Sequence, residues 1–169
     1  SQQTGGSYDI THPMSAPSNN YPPFSPYLTV RGADKAIEFY KTAFGAEEVS
    51  RLTRRADGTI GHAELTIAGS LLMLSEENPE WGNKSPQTLG GTAVVFCLTV
   101  ENTDAAVERA IAAGATLRMP VADQFYGFRS GSVVDPFGQE WLLQHEIEKV
   151  SPEEAQKRWD EMSGDCSGS

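Results

Sequence analysis

The 169 residues suffice for one domain or for two small modules sharing a core. A net charge of −10 and a pI near 4.7 argue against a nucleic-acid partner. Phosphate backbones need clustered Lys and Arg, and the tightest basic group is Arg51 with Arg54 and Arg55, which reads as a solvated strand end. No apolar run approaches the roughly twenty residues of a membrane span, so no membrane partner is expected.

In chain order, residues 1–24 are rich in Ser, Gln, Gly, Asn and Pro and lack a hydrophobic period, which predicts a disordered extension. The start at Ser1 leaves room for a removed targeting segment, and a secretory signal there would mean export. Without one, a reducing, cytoplasmic compartment is the default, because Cys97 and Cys166 make no disulfide framework. Cys97 reads as a small strand side chain, with no His near it in sequence.

A domain is predicted over residues 25–149, with module one at 25–78, a linker at 79–91 and module two at 92–149. Module one predicts a strand at Ser25–Val30 and a helix over 33–44, with Ala36, Ile37, Tyr40 and Phe44 on one face and Gly45 as its cap. A strand at 46–54 follows, then a hairpin of 59–67 and 70–75 closed by Ala68-Gly69. The segment from Glu76 to Gly91 carries Pro79, Trp81 and Pro86, the marks of a linker. Module two predicts strands at 92–101, 115–119, 127–134 and 139–145, with a helix near 104–113. Ser151-Pro-Glu-Glu154 is a capping box that opens a C-terminal helix over 150–163, before a flexible tail at 164–169. Trp159 is expected to dock that helix on the body of the protein or on a second subunit.

The two helix patterns repeat at an offset of seventy residues: Val30 answers Val100, Asp34 answers Asp104, Ala36 answers Ala106 and Glu38 answers Glu108. A repeat of that length implies an α+β fold of two βαβββ modules whose curved mixed sheets form a cleft. Closing the hairpin at Ala68-Gly69 pairs Ile67 with Ser70, Leu65 with Leu72 and Ala63 with Leu74. That apolar side packs under the helix, so His62, Glu64, Met73 and Ser75 share the other. On the last strand Trp141 and Leu143 suit the helix side, leaving Glu140, Leu142 and Gln144 for the cleft. His62, Glu64 and Glu140 either hold a divalent ion or make ordinary hydrogen bonds and salt links. Arg129 either grips a ligand carboxylate or phosphate or pairs with acidic neighbours. Tyr27, Met73, Tyr126 and Phe128 either wall a pocket or fill the core. Asp135-Pro-Phe-Gly138 is a turn signal, its Asp reading as an Asx-type turn former.

Ala36-Ile-Glu-Phe-Tyr-Lys-Thr-Ala-Phe-Gly45, Gly61-His-Ala-Glu-Leu65, Ser85-Pro-Gln-Thr-Leu-Gly-Gly91 and Asp135-Pro-Phe-Gly138 with Trp141 resemble the vicinal oxygen chelate superfamily. That group contains glyoxalase I, bleomycin-resistance proteins and extradiol dioxygenases, and the chain is most similar to its uncharacterised bacterial glyoxalase-like members. The resemblance covers residues 25–158. It implies that metal-dependent members take one donor from each of four strands, and it puts Ser25, Met73, Val95 and Leu142 at those positions. Several similar members carry a His where this chain has Gln139. The resemblance therefore implies a dimeric small-molecule-binding protein with no cofactor, in the manner of bleomycin-resistance members. One alternative is a metal-dependent lyase, isomerase or dioxygenase using His62, Glu64 and Glu140. Another is a protein-interaction module acting through the Trp159 helix.

Overall fold

The computed structural model describes residues 21–164, so most of the expected N-terminal extension, Cys166 and nearly all of the tail lie outside the described residues. The chain divides into two compact units, one comprising residues up to 93 with Pro136–Gln139, the other Val94–Asp135 with the remainder from Glu140.

In the first unit, β1 (Tyr27–Val30) leads into α1 (Ala33–Phe44), then β2 (Glu47–Thr53), β3 (Ile60–Ile67) and β4 (Ser70–Glu76). The sheet order is β1-β4-β3-β2, with β1 parallel to β4 and the other pairs antiparallel. The hairpin register is the one predicted: Ile67 faces Ser70, Leu65 faces Leu72 and Ala63 faces Leu74. Ala68 at φ 51° and Gly69 at φ 79° supply the two left-handed residues of a tight primed turn. Ala63, Leu65, Leu72 and Leu74 are buried, as are Ala36, Ile37 and Tyr40 of α1. Phe39, outside the predicted stripe, is buried as well, its ring 6.1 Å from that of Phe137, while Phe44 is only partly covered.

The expected linker holds ordered structure. Pro79–Trp81 forms a 3-10 turn capped by Asn78, and α2 (Pro86–Leu89) is capped by Ser85. Each proline stands at a first helical turn, where its missing N–H costs nothing, so a residue that reads as a breaker also starts a helix.

The second unit repeats the pattern: β5 (Val95–Thr99), α3 (Thr103–Ala113), β6 (Thr116–Asp123), β7 (Phe128–Val134) and β8 (Glu140–Glu146), in the order β5-β8-β7-β6. The strand predicted to end at Met119 continues through Pro120 to Asp123. Pro120 is tolerated because β6 is an edge strand and its register shifts between Met119 and Ala122. Gly131 on β7 has no room for a Cβ, which would lie 2.8 Å from Val121 Cγ2. Asp135 is buried and accepts the Trp141 Nε1–H at 3.0 Å.

The last helix, α4 (Pro152–Met162), starts at the predicted cap, with Ser151 Oγ accepting from Glu154 N at 3.1 Å. None of its residues is buried. Trp159 touches Phe125 at a ring distance of 5.3 Å yet stays 56% exposed. Arg158 supplies the polar anchor, donating to Phe125 O at 2.9 Å and pairing with Glu148.

Candidate functional site

The register of the first sheet aligns two rows of side chains on the face turned away from α1. One row runs Tyr27, Met73, Glu64, Ser50 across β1, β4, β3 and β2. Two residues along, Thr29 and Ser75 are partnered, as are His62 and Leu52. Neither row holds a Lys or Arg. Three side chains of these rows and Tyr21, which precedes β1, form one hydrogen-bonded chain. Tyr27 Oη lies 2.7 Å from His62 Nδ1, His62 Nε2 lies 3.1 Å from Glu64 Oε1, and Tyr21 Oη donates to the same Glu64 oxygen at 2.6 Å.

Burial is graded along this chain. The Glu64 side chain is 9% exposed and the His62 side chain 26%, while Tyr27 and Tyr21 are each about half exposed. A carboxylate taken so far out of water needs donors; the Tyr21 hydroxyl supplies one, and the His62 ring nitrogen lies within hydrogen-bond reach of the same oxygen. The hydrogen bond to Glu64, and then burial, raise the Tyr21 phenol above its ordinary range and hold its proton in place. The hydroxyls of Ser75, in the second row, and of Ser25, two residues before Tyr27 in the chain, are buried without a hydrogen-bond partner. Tyr21 was invisible to sequence reasoning, because the residues before β1 carry no period and read as an extension.

The remaining expected site residues belong to the second unit. Arg129 shares its strand face with Gly131 and Val133, the side on which α3 packs. Its guanidinium meets Asp104 of α3 through two bonds, at 2.7 and 2.9 Å, and Asp123 at 2.9 Å. The Arg129 contact holds the Asp104 carboxyl below its usual range. Glu140 pairs with Arg118 at 2.6 Å. Tyr126, just before β7, makes ring contacts with Phe125 at 5.1 Å and Phe128 at 6.0 Å. On β7, Ser130 and Ser132 are 1% exposed and their hydroxyls have no partner.

The glyoxalase/bleomycin resistance protein/dioxygenase superfamily model matches residues 21–143. The chain belongs to this superfamily. An uncharacterised protein of Mycobacterium bovis is 43% identical over 141 residues, spanning 82% of this chain and 92% of that protein. The X-ray structure of a gene product from Arabidopsis thaliana superposes with a TM-score of 0.60 at 31% identity, covering 73% of this chain and 98% of that one. The fosfomycin resistance protein FosX from Listeria monocytogenes, crystallised with Mn(II) and sulfate, shares the fold with a TM-score of 0.56 at 23% identity. That pair covers 80% of this chain and 95% of FosX.

A divalent ion bound in the manner of metal-dependent members needs oxygen and nitrogen donors at four strand positions. The sheet registers make Met73 and Leu142 counterparts, opposite Tyr27 and Cys97, which are themselves seventy residues apart. With Ser25 and Val95 at the other two positions, the set is a hydroxyl, a thioether and two aliphatic chains, and it does not fit such an ion. Among the described residues, no group of three or more His, Cys, Asp or Glu side chains is placed to hold a metal.

Proposed function

We propose that the chain binds a small molecule on the face of the first sheet opposite α1, without the glyoxalase-type metal set. The observation that carries this reading is the Tyr27–His62–Glu64–Tyr21 chain: a nearly buried carboxylate and an imidazole, hydrogen-bonded to one another on a strand face, with half-exposed phenols at both ends. A sheet gains nothing in stability from such an arrangement over an apolar face, and a ligand that needs oriented acceptors gains much. Because the two rows carry Glu64 and no Lys or Arg, the ligand is uncharged or cationic and offers hydroxyl or amine donors. Met73 supplies the apolar floor between Tyr27 and Glu64.

Calorimetric titration of a panel of such compounds against the wild type and His62→Ala tests the reading. Loss of the imidazole is expected to weaken a true ligand by about tenfold or more, the cost of one hydrogen bond to a charged network. Unchanged affinity removes His62 from the site. Metal content after dialysis against zinc, nickel, manganese and iron(II) is the companion measurement, and near-stoichiometric retention would overturn the metal-free part. A homodimer goes with this reading, supported by the exposed Val94 and Val95 at edge strand β5 and Leu117 and Met119 on edge strand β6. Light scattering at the mass of a single 18.3 kDa chain would reject it.

A further inference from the structure

We propose that Tyr27 is a proton-transfer residue, with His62 as its base and Glu64 as the group that orients the base. The inference rests on the small-molecule-binding reading above only for the class of its substrate. A hydroxyl on a half-exposed tyrosine, an imidazole nitrogen 2.7 Å from it and a carboxylate on the far ring nitrogen at 3.1 Å have the geometry of an activated nucleophile. The relay takes the tautomer in which Nε2–H is donated to Glu64, leaving Nδ1, 2.7 Å from the Tyr27 oxygen, to accept its proton. The carboxylate orients the ring and stabilises the imidazolium that forms, the part an acid plays in a Ser-His-Asp triad.

The two phenols on this chain have opposite roles. Tyr21 gives its hydrogen to a carboxylate that is already hydrogen-bonded, and that bond raises its pKa, so its proton stays. Tyr27 faces a base. Toward a ligand, its oxygen is an acceptor, which selects a small uncharged or cationic molecule bearing a hydroxyl group. In the step, the ligand O–H proton moves to Tyr27 Oη as the Tyr27 proton moves to His62 Nδ1. The products are a ligand oxyanion and an imidazolium paired with Glu64, and the total charge is unchanged.

An aryl sulfonyl fluoride probes this without any knowledge of the natural ligand. The Tyr27 oxygen forms a bond to sulfur, the S–F bond breaks, fluoride leaves, and the phenol proton passes to His62. Labelling of the full chain at neutral pH is followed residue by residue by mass spectrometry. Tyr27 is expected to react well ahead of Tyr21 and Tyr126. His62→Ala should slow it by roughly a hundredfold, the lower end of what a positioned base contributes, and Glu64→Gln by less. Labelling of Tyr27 no faster than Tyr126, or unaffected by His62→Ala, overturns the proposal. If His62→Ala does not fold, the ring-nitrogen chemical shifts of the wild-type protein decide. A protonated Nε2 and bare Nδ1 support the relay, and the opposite tautomer rejects it. Failure here leaves ligand binding untouched, because labelling needs no ligand. Conversely, a panel without a binder leaves the reactivity of Tyr27 standing.

Discussion

The two units are built on one plan and used differently. Their helices start seventy residues apart, at Ala33 and Thr103, and their strand orders are identical. The helix-side row Leu28–Leu74–Ala63 of the first sheet answers Leu98–Leu143–Gly131 of the second. On the other face the correspondence breaks. Tyr27–Met73–Glu64 answers Cys97–Leu142–Ser132, and Thr29 with Ser75 answers Thr99 with Gln144. One step of two residues past Glu64, the same register sets His62 against Ser130. The packed face is constrained by volume and tolerates little, whereas the open face is free to diverge, and among the described residues the first unit alone sets an imidazole beside a carboxylate there.

The helix starts show the same divergence within a conserved role. The Glu76 carboxylate at the end of β4 accepts the N–H groups of Gly32 and Ala33, the latter at 2.7 Å. In the second unit His145 Nδ1 accepts the N–H of Thr103 at 3.1 Å, with Asn102 adding its own cap on Ala105 N. A strand residue caps the helix in both, as an anion in one and as an imidazole in the other.

The comparison can be broken at its strongest point by truncating the matched core leucines. Leu74→Ala and Leu143→Ala each remove a fully buried side chain and are expected to cost about 2–5 kcal/mol in denaturant unfolding. A cost well under 1 kcal/mol for one of them would mean that the two cores are not equivalent. Next in size are the strand-borne caps. Glu76→Ala should lose about 0.5–2 kcal/mol, since a carboxylate also complements the helix dipole. His145→Ala should lose less, because Asn102 remains in place. Equal losses would remove the distinction between the two caps. The smallest effects sharpen the open-face difference. Glu64→Ala should cost about 1 kcal/mol, since the His62 and Tyr21 donors it strands can reach water. Ser132→Ala removes a buried hydroxyl without a partner and should be neutral or stabilising within about 0.5 kcal/mol. Destabilisation by Ser132→Ala would mean that the hydroxyl has a partner in solution.

Much of this fold was legible in the residue pattern. The offset repeat announced the duplication, and Ala68-Gly69 set the hairpin register, which by strand alternation alone puts His62, Glu64 and Met73 on one face. The capping box at Ser151 placed the last helix to within two residues at either end. These features depend on neighbours close in sequence, where periodicity and turn chemistry act directly. The turns at Pro79–Trp81 and Pro86–Leu89 were hidden because proline and glycine mark loops and short helix ends alike.

The sequence by itself determined the two βαβββ patterns and the superfamily resemblance, because each can be read from residue identity at a counted position. Only the tertiary structure decided who partners whom. Arg129 turned to Asp104 and Asp123, Glu140 to Arg118, and Tyr21 came back across forty-three residues to Glu64. Side-chain ionic and hydrogen-bond partners are chosen by proximity in space, and an acidic chain offers every arginine several candidates that sequence cannot rank. The Tyr27–His62–Glu64 relay exists because β1 pairs in parallel with β4 and so brings Tyr27 within reach of His62 on β3, a long-range pairing that no local pattern encodes.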